Sequence, residues 1–315
     1  MGLDHNVELG EFLRSRRARL GPEEAGVPVS GSARRVPGLR REELAHLAGV
    51  STDYYSRLEQ GRHRNVSGSV LDAVARALRL DEVEHTYLVQ LAQPQPRTVR
   101  RAPSRPQRVR PGLHRMLETL DGWTPAFIVG RGLQVLASNR LARALITDFE
   151  ALPQRERNLA RFIFLDESAR QVYVDWERVA AETAAVLRLD AGRDCEDRLF
   201  CELIGELAVK SEEFRTAWAA HDVSRRSHGS KRYRHPLVGE ITIAYEAFTP
   251  PGDADQTLFV YTTESGSASE TALQLLANLT LPGPARPRSR PDTTATPSGG
   301  GGTTDTDDYL ETRAR

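Results

Sequence analysis

The 315-residue chain carries 43 basic and 43 acidic side chains, with 39% apolar and 27% charged residues. This balance fits a globular protein of about two domains and excludes a chain too polar to bury a core. With two cysteines, Cys195 and Cys201, it also excludes a disulfide-built scaffold.

The first helical pattern carries Leu9, Phe12, Leu13 and Leu20, interleaved with Arg14, Arg16, Arg17 and Arg19. Gly21 to Gly38 is punctuated by Gly and Pro and reads as a loop. Arg40 to Ala48 is a second helix, with Leu44, Leu47 and Ala48 inward and Ala45 small enough to let another helix approach. Gly49 tolerates φ > 0, so the chain can turn there. Ser51 is a good N-cap and Gly61 a left-handed stop, so a short third helix lies between them. Tyr55 and Leu58 share one of its faces, with Glu59 beside them. Thr52, Asp53, Ser56, Arg57 and Gln60 project elsewhere, a hydrogen-bonding set suited to base edges in a major groove. Helix, turn and helix make a helix-turn-helix, with an ordinary helical hairpin as the alternative. Ser67 or Ser69 caps a fourth helix bearing Val70, Leu71, Val74, Ala75 and Leu78. Asp81 with Glu84 forms a capping box for a fifth, bearing Val83, Tyr87, Leu88 and Leu91. Residues 1–93 are therefore expected to form one all-α domain.

Residues 94–111 hold several prolines and Arg97, Arg100, Arg101, Arg105, Arg108 and Arg110, with no acid. They read as an extended linker, either a solvated spacer or an arm that adds phosphate contacts. A second domain is expected over 112–280. Leu113, Met116, Leu117 and Leu120 suggest a helix. Ala126 to Gly130 and Gln134 to Ser138 are short β-like runs joined at Arg131-Gly132. Asn139 to Ile146 looks helical, and a helical region follows from Asn158 to Ala220, broken at Asp190-Ala191-Gly192. The period then falls to two in Ser230 to His235, Glu240 to Phe248 and Thr257 to Thr263, before a closing helix from Ser267 to Asn278. Strands at both ends with helices between imply an α+β, largely antiparallel sheet. Residues 281–315 are rich in Pro, Gly, Thr and Asp and read as a disordered tail.

No apolar run approaches the ~18 residues of a membrane span. The N-terminus lacks the basic-then-apolar pattern of a signal peptide. A cytoplasmic protein with no membrane partner is expected. No metalloprotease, P-loop, nucleophile-elbow or dinucleotide motif occurs, and Gly130-Arg131-Gly132 reads as a turn. His221, His228 and His235 could seed a general base or metal site, but no nucleophile accompanies them. No catalytic residue, metal or cofactor is expected.

Arg34 to Gly61 (RRVPGLRREELAHLAGVSTDYYSRLEQG) resembles the DNA-binding domain of XRE-class regulators in the MmyB-like group. Thr124 to Arg140, Arg155 to Leu165, His221-Asp222-Val223 and Lys231 to Glu246 resemble that group's ligand-binding domain. The resemblance implies a lambda-repressor-like five-helix domain followed by a PAS-like α+β domain. It implies a DNA-binding transcription regulator, and a relative's PAS-like domain accommodates a fatty acid. It also implies that Arg17 lies near Glu59. Arg40 stands where the wider class often has a capping Thr, so helix two lacks that cap. The resulting expectation is a homodimer that binds double-stranded DNA and senses a small apolar ligand, an acyl compound such as a fatty acid. Thr52, Asp53, Ser56 and Arg57 would face bases. Arg41, Ser51, Tyr54, Gln60 and Arg62 would hold phosphates or flank the groove. Asn139, His221, Arg232 and His235 would serve the ligand's head group. An enzyme with a regulatory helix-turn-helix and a scaffold whose second domain binds only protein are the alternatives.

Overall fold

The computed structural model describes residues 4–28, 36, 38–62, 66–93, 107–193, 197–253 and 255–281. Arg97, Arg100, Arg101 and Arg105 of the expected linker, Cys195 and the tail from Pro282 lie outside the described residues.

The N-terminal region holds α1 (His5–Arg19), α2 (Arg41–Leu47), α3 (Thr52–Glu59), α4 (Gly68–Ala77) and α5 (Glu82–Ala92). Local hydrogen bonds set their starts. Asp4 accepts from the Asn6 N–H, Ser51 from Tyr54 at 3.1 Å and Ser67 from Val70 at 3.4 Å. Asp81 and Glu84 cap each other's backbone reciprocally, at 2.8 and 3.1 Å. Arg40 has no acceptor to offer as a cap. Instead the Glu43 carboxylate reaches back and accepts from the Arg40 N–H at 2.7 Å.

Leu9, Phe12 and Leu13 pack with Leu44, Tyr55, Leu58, Leu71, Val74, Tyr87 and Leu88 in one buried cluster. Leu47, expected inward, is 39% exposed, while Ala48 is buried. At about 100° per residue, Leu44, Ala45 and Ala48 share a face and Leu47 falls on its rim. Gly10 lets α1 cross the end of α3 at backbone contact, because a Cβ there would strike the Glu59 carbonyl. Gly61 stops α3 at φ 67°.

Residues before Gly112 bond to the C-terminal region. Gln107, read as linker, accepts from the Arg131 N–H at 2.8 Å, and Arg110 ion-pairs with Asp253 at 2.6 Å. Then come α6 (Pro111–Leu120), β1 (Ala126–Val129), β2 (Val135–Ser138), α7 (Arg140–Leu145), α8 (Leu159–Leu165) and α9 (Ser168–Val172). These are followed by α10 (Trp176–Arg193), α11 (Arg198–Lys210), α12 (Glu212–Ala219), β3 (His228–His235), β4 (Gly239–Phe248), β5 (Thr257–Thr262) and α13 (Ala268–Leu279). The five strands form an antiparallel sheet in the order β2-β1-β5-β4-β3. A 3-10 turn at Arg131–Leu133, with Gly132 at φ 59°, joins the first two.

Alternation along the strands divides the sheet into two faces. Phe127, Val129, Tyr233, Ile241, Ile243, Tyr245, Phe259 and Tyr261 enter a core completed by α7, α8 and α10 to α12. Ala126, Ile128, Ala137 and Leu258 face the other way and are covered by Leu113 and Leu117 of α6. Met116, expected inward with them, is 49% exposed.

The expected break at Asp190-Ala191-Gly192 does not occur; α10 runs through it. Gly192 serves a close approach, since a Cβ there would lie 2.6 Å from the Tyr87 ring of α5. The two regions therefore pack side by side, and Leu189 and Val223 of the second complete the core of the first.

Gly10→Ala should destabilise the protein by about 1–3 kcal/mol, because α1 and α3 would have to separate. Thermal unfolding of the full chain would show this, and an unchanged midpoint would refute the backbone contact.

Candidate DNA-contact surface and ligand cleft

The surface of α3 is fixed from beneath. Glu59 at its end is buried among arginines. Arg17 Nε and Nη2 donate to its two carboxylate oxygens at 2.9 and 2.8 Å. Arg41 Nη2 and Nε donate to Oε1 at 2.9 and 3.1 Å. Burial alone would raise the Glu59 pKa; the bonds from Arg17 and Arg41 outweigh it and hold the carboxyl below its usual range. Arg17 also donates to the Leu39 carbonyl at 2.7 Å, so α1, α3 and the entry to α2 meet at one carboxylate.

Thr52, Asp53, Arg57, Gln60 and Arg62 are exposed, Tyr54 and Ser56 are half-buried, and Ser51 is exposed while its hydroxyl caps the helix. Arg57 ion-pairs with Asp53, one turn earlier, at 2.7 Å. A guanine edge would have to compete with that carboxylate for the guanidinium. Arg41 keeps a partly exposed guanidinium, oriented by Glu59.

The four residues expected at a ligand head group do not come together. Asn139 is buried and caps α7, accepting from Ala142 and Ala126 N–H groups at 3.0 and 3.1 Å and donating to the Thr124 carbonyl at 2.8 Å. Arg232 is on the solvent face of β3, forked onto Asp175. His235 donates to the Ala144 carbonyl at 3.1 Å and accepts from the Leu237 N–H at 3.2 Å. His221 lies between the two regions, 3.3 Å from Glu8. Each has protein partners that fix it in a separate place.

A cleft of about 380 Å³ opens instead between the Arg131–Leu133 turn, α10, the start of α11, the segment 224–227 and the ends of β4 and β5. Val129, Leu133, Val186, Leu189, Phe200 and Phe259 give it apolar walls. Its volume falls in the usual range for small-molecule sites, about 300–1,000 Å³. Three arginines, Arg131, Arg225 and Arg226, and three aspartates, Asp190, Asp197 and Asp255, also line it. Arg131 has Asp255 and Asp197 at 3.5 and 3.6 Å. Arg226 donates from Nη2 to the Thr183 hydroxyl, while its buried Nε has no hydrogen-bond partner.

The wall carrying Leu189 also carries the contact between the regions. Arg188, 1% exposed on α10, ion-pairs with Glu8 of α1, stacks 4.2 Å from the Trp218 ring and donates to the Trp218 carbonyl. Tyr87 donates to the same Glu8 oxygen at 3.0 Å, and His221 Nδ1 must carry the proton shared with it. Burial would raise the Glu8 pKa. The His221 bond and the Arg188 charge reverse this and bring it down to about 2. Around the rim, Arg16 ion-pairs with Glu84 at 2.8 Å and Asp222 at 3.1 Å, and donates to the His221 carbonyl at 2.8 Å. None of Glu8, Arg188 or Arg226 is singled out by any local sequence pattern.

Among the described residues no helix is long and apolar enough to cross a membrane, and no group of His, Cys, Asp and Glu is placed to hold a metal ion. Residues 109–276 match the family model of the MmyB-like transcription regulator ligand binding domain, and residues 8–88 match that of a helix-turn-helix domain. No curated protein matches the chain.

Glu59→Ala should cost about 3–5 kcal/mol, because it strands Arg17 in the interior. A melting curve indistinguishable from wild type would refute the clamp. Glu8 gives a pH signature. Its folded pKa is depressed, so its contribution is full above 4.5, the ordinary value, and is lost as pH falls toward about 2. The interval corresponds to about 3 kcal/mol at neutral pH. The stability advantage of wild type over Glu8→Gln should therefore shrink through that window in denaturant unfolding, and a constant difference would contradict the pairing.

Proposed function

The chain belongs to the MmyB-like transcription regulator family, and we propose that it is a cytoplasmic, homodimeric one-component regulator that reads duplex DNA through α3 and responds to an acyl ligand. Family and helix-turn-helix together make it a DNA-binding transcription regulator with a small-molecule ligand. The finer reading divides the labour on α3. Thr52, Asp53, Ser56 and Arg57 meet base edges, while Arg41, Ser51, Tyr54, Gln60 and Arg62 position the backbone. We assign residues 1–93 to the DNA-binding domain and extend the ligand-binding domain back from 112 to Gln107, because Gln107 and Arg110 bond to its loops.

One observation carries the ligand response. Leu189 belongs at once to the wall of the cleft and to the core of the DNA-binding domain. A ligand that shifts α10 by a side-chain width acts directly on the packing of α1 and α5, with Arg188 one residue away on Glu8. An amphipathic acyl compound, a fatty acid or a close relative, suits a cleft with apolar walls and an arginine among them. A homodimer would set two α3 helices about 34 Å apart and require half-sites repeating at one turn of DNA.

The experiment is a base-substitution profile of DNA selected by the full chain. Arg57→Ala should remove about 1–3 kcal/mol of discrimination at one position. Arg62→Ala should weaken all sequences alike and reduce the salt slope by about one. A profile unchanged by Arg57→Ala would assign base reading to other residues.

A further inference from the structure

We propose that Arg226 and Lys231 form the seat of the ligand's anionic head group, a carboxylate in the simplest case, with the acyl chain running from them along the walls of the cleft. The proposal rests on the acyl-ligand reading above and moves the head group from the residues expected there.

Lys231 occupies an inward position of β3, in phase with Tyr233, and is 3% exposed. Its Nζ lies 5.5 and 5.6 Å from the ring centres of Tyr245 and Tyr173. Ring faces offset part of the cost of a buried ammonium. Among the described residues, however, no carboxylate forms a salt bridge with it. The acid whose charge reaches it, Glu182, is bonded to Arg178 at 2.6 Å. Arg226 is the second cation. It lines the cleft, its Nη2 is held by the fully buried Thr183, and its buried Nε has no hydrogen-bond partner. A buried amine and a guanidinium thus face an aromatic interior, and Glu182, the acid whose charge reaches Lys231, is already taken by Arg178, an arrangement that an entering anion would stabilise. Burial, and next the charge of Arg226, hold the Lys231 pKa well below its usual value.

Lys231 lies beyond the lining of the cleft, and one face of the sheet joins the two. Ala247 and Phe259 pair across β4 and β5 and line the cleft; Tyr245 and Tyr261 pair next on the same face. Ile243 follows on β4, and it pairs with Lys231 across β3. From Ala247 to Ile243 the strand spans about 13 Å, the scale of an extended medium-length acyl chain.

Isothermal titration of the lipid-stripped full chain with decanoate and with decan-1-ol, below micelle-forming concentrations, tests the seat. Wild type should bind the acid at least about tenfold more tightly than the alcohol. Arg226→Gln and Lys231→Met should each lose about tenfold for decanoate and keep the alcohol's affinity, which a merely structural role would not do. Equal binding of acid and alcohol by wild type, or wild-type decanoate affinity in both variants, overturns the seat and leaves the acyl reading standing. Binding of neither compound by wild type overturns both. If a variant binds neither, Arg226→Lys and Lys231→Arg decide. Retained preference for the acid supports the seat, and lost preference overturns it.

Discussion

Glu8 sits where two domains meet, and its carboxylate has left water. The penalty for burying such an ion is several kcal/mol, recovered only where cations and donors meet the carboxylate. Here the donors come from both sides. Tyr87 belongs to the helical domain, while Arg188 and His221 belong to the α+β domain. Neither domain could bury its share of this cluster alone, since separation would return Glu8 and Arg188 to solvent or leave them unpaired. Apolar contacts at Leu189, Val223 and Gly192 supply the adhesion, and the charges fix which helix faces which.

The same logic orders the DNA-contact surface. Glu59 ends α3, and its two arginines arrive from α1 and from the first position of α2. The clamp therefore sets the angle between the helices of the motif, while the exposed faces remain free of that duty. Arg17 and Arg41 are not equivalent in it. Arg17 is buried and also holds Leu39, whereas Arg41 is partly exposed and can present its outer edge to a phosphate without releasing Glu59. Communication between domains then has a physical route. Glu8 is on the helix that also carries Arg17, so a displacement of α10 at Arg188 bears on the helix that anchors α3.

What the sequence reveals follows the range of each interaction. Ser51, Ser67 and the Asp81–Glu84 box sit beside the helices they start, so those helices are legible from neighbours alone. Strand alternation likewise announces β3, β4 and β5, although β3 begins at His228, two residues earlier than the pattern suggests. Gly192 is misread because a glycine in a helix looks like a stop when the ring it accommodates, Tyr87, lies in another domain. Glu8 and Arg188 are separated by 180 residues and share no local pattern. The separate placement of the expected head-group residues has a related reason. Asn139, Arg232 and His235 stand in motif-like stretches, but their polar atoms serve a helix cap, a surface ion pair and a loop. Lys231 is one residue from Arg232 and left a usable signal, because period two puts a lysine in phase with Tyr233 on the apolar face.

Charge pairing also separates the cleft from the rest of the interior. In the helical domain the buried acids, Glu8 and Glu59, are each met by arginine. In the α+β domain Arg188 is met by Glu8, and at the cleft mouth Arg131 is met by Asp197 and Asp255. Arg226 and Lys231 depart from that rule, with a hydroxyl and two aromatic rings where carboxylates stand elsewhere. Folding alone gives no reason to keep such a pair, since an apolar residue at position 231 would pack the same space without a buried charge. A lysine and an arginine in an aromatic interior, on a strand face that leads to a cleft, are what the proposed anion would account for. The cleft's other wall is α10, whose Arg188 pairs with Glu8, so one helix forms both a wall of the cleft and the contact that holds the helical domain.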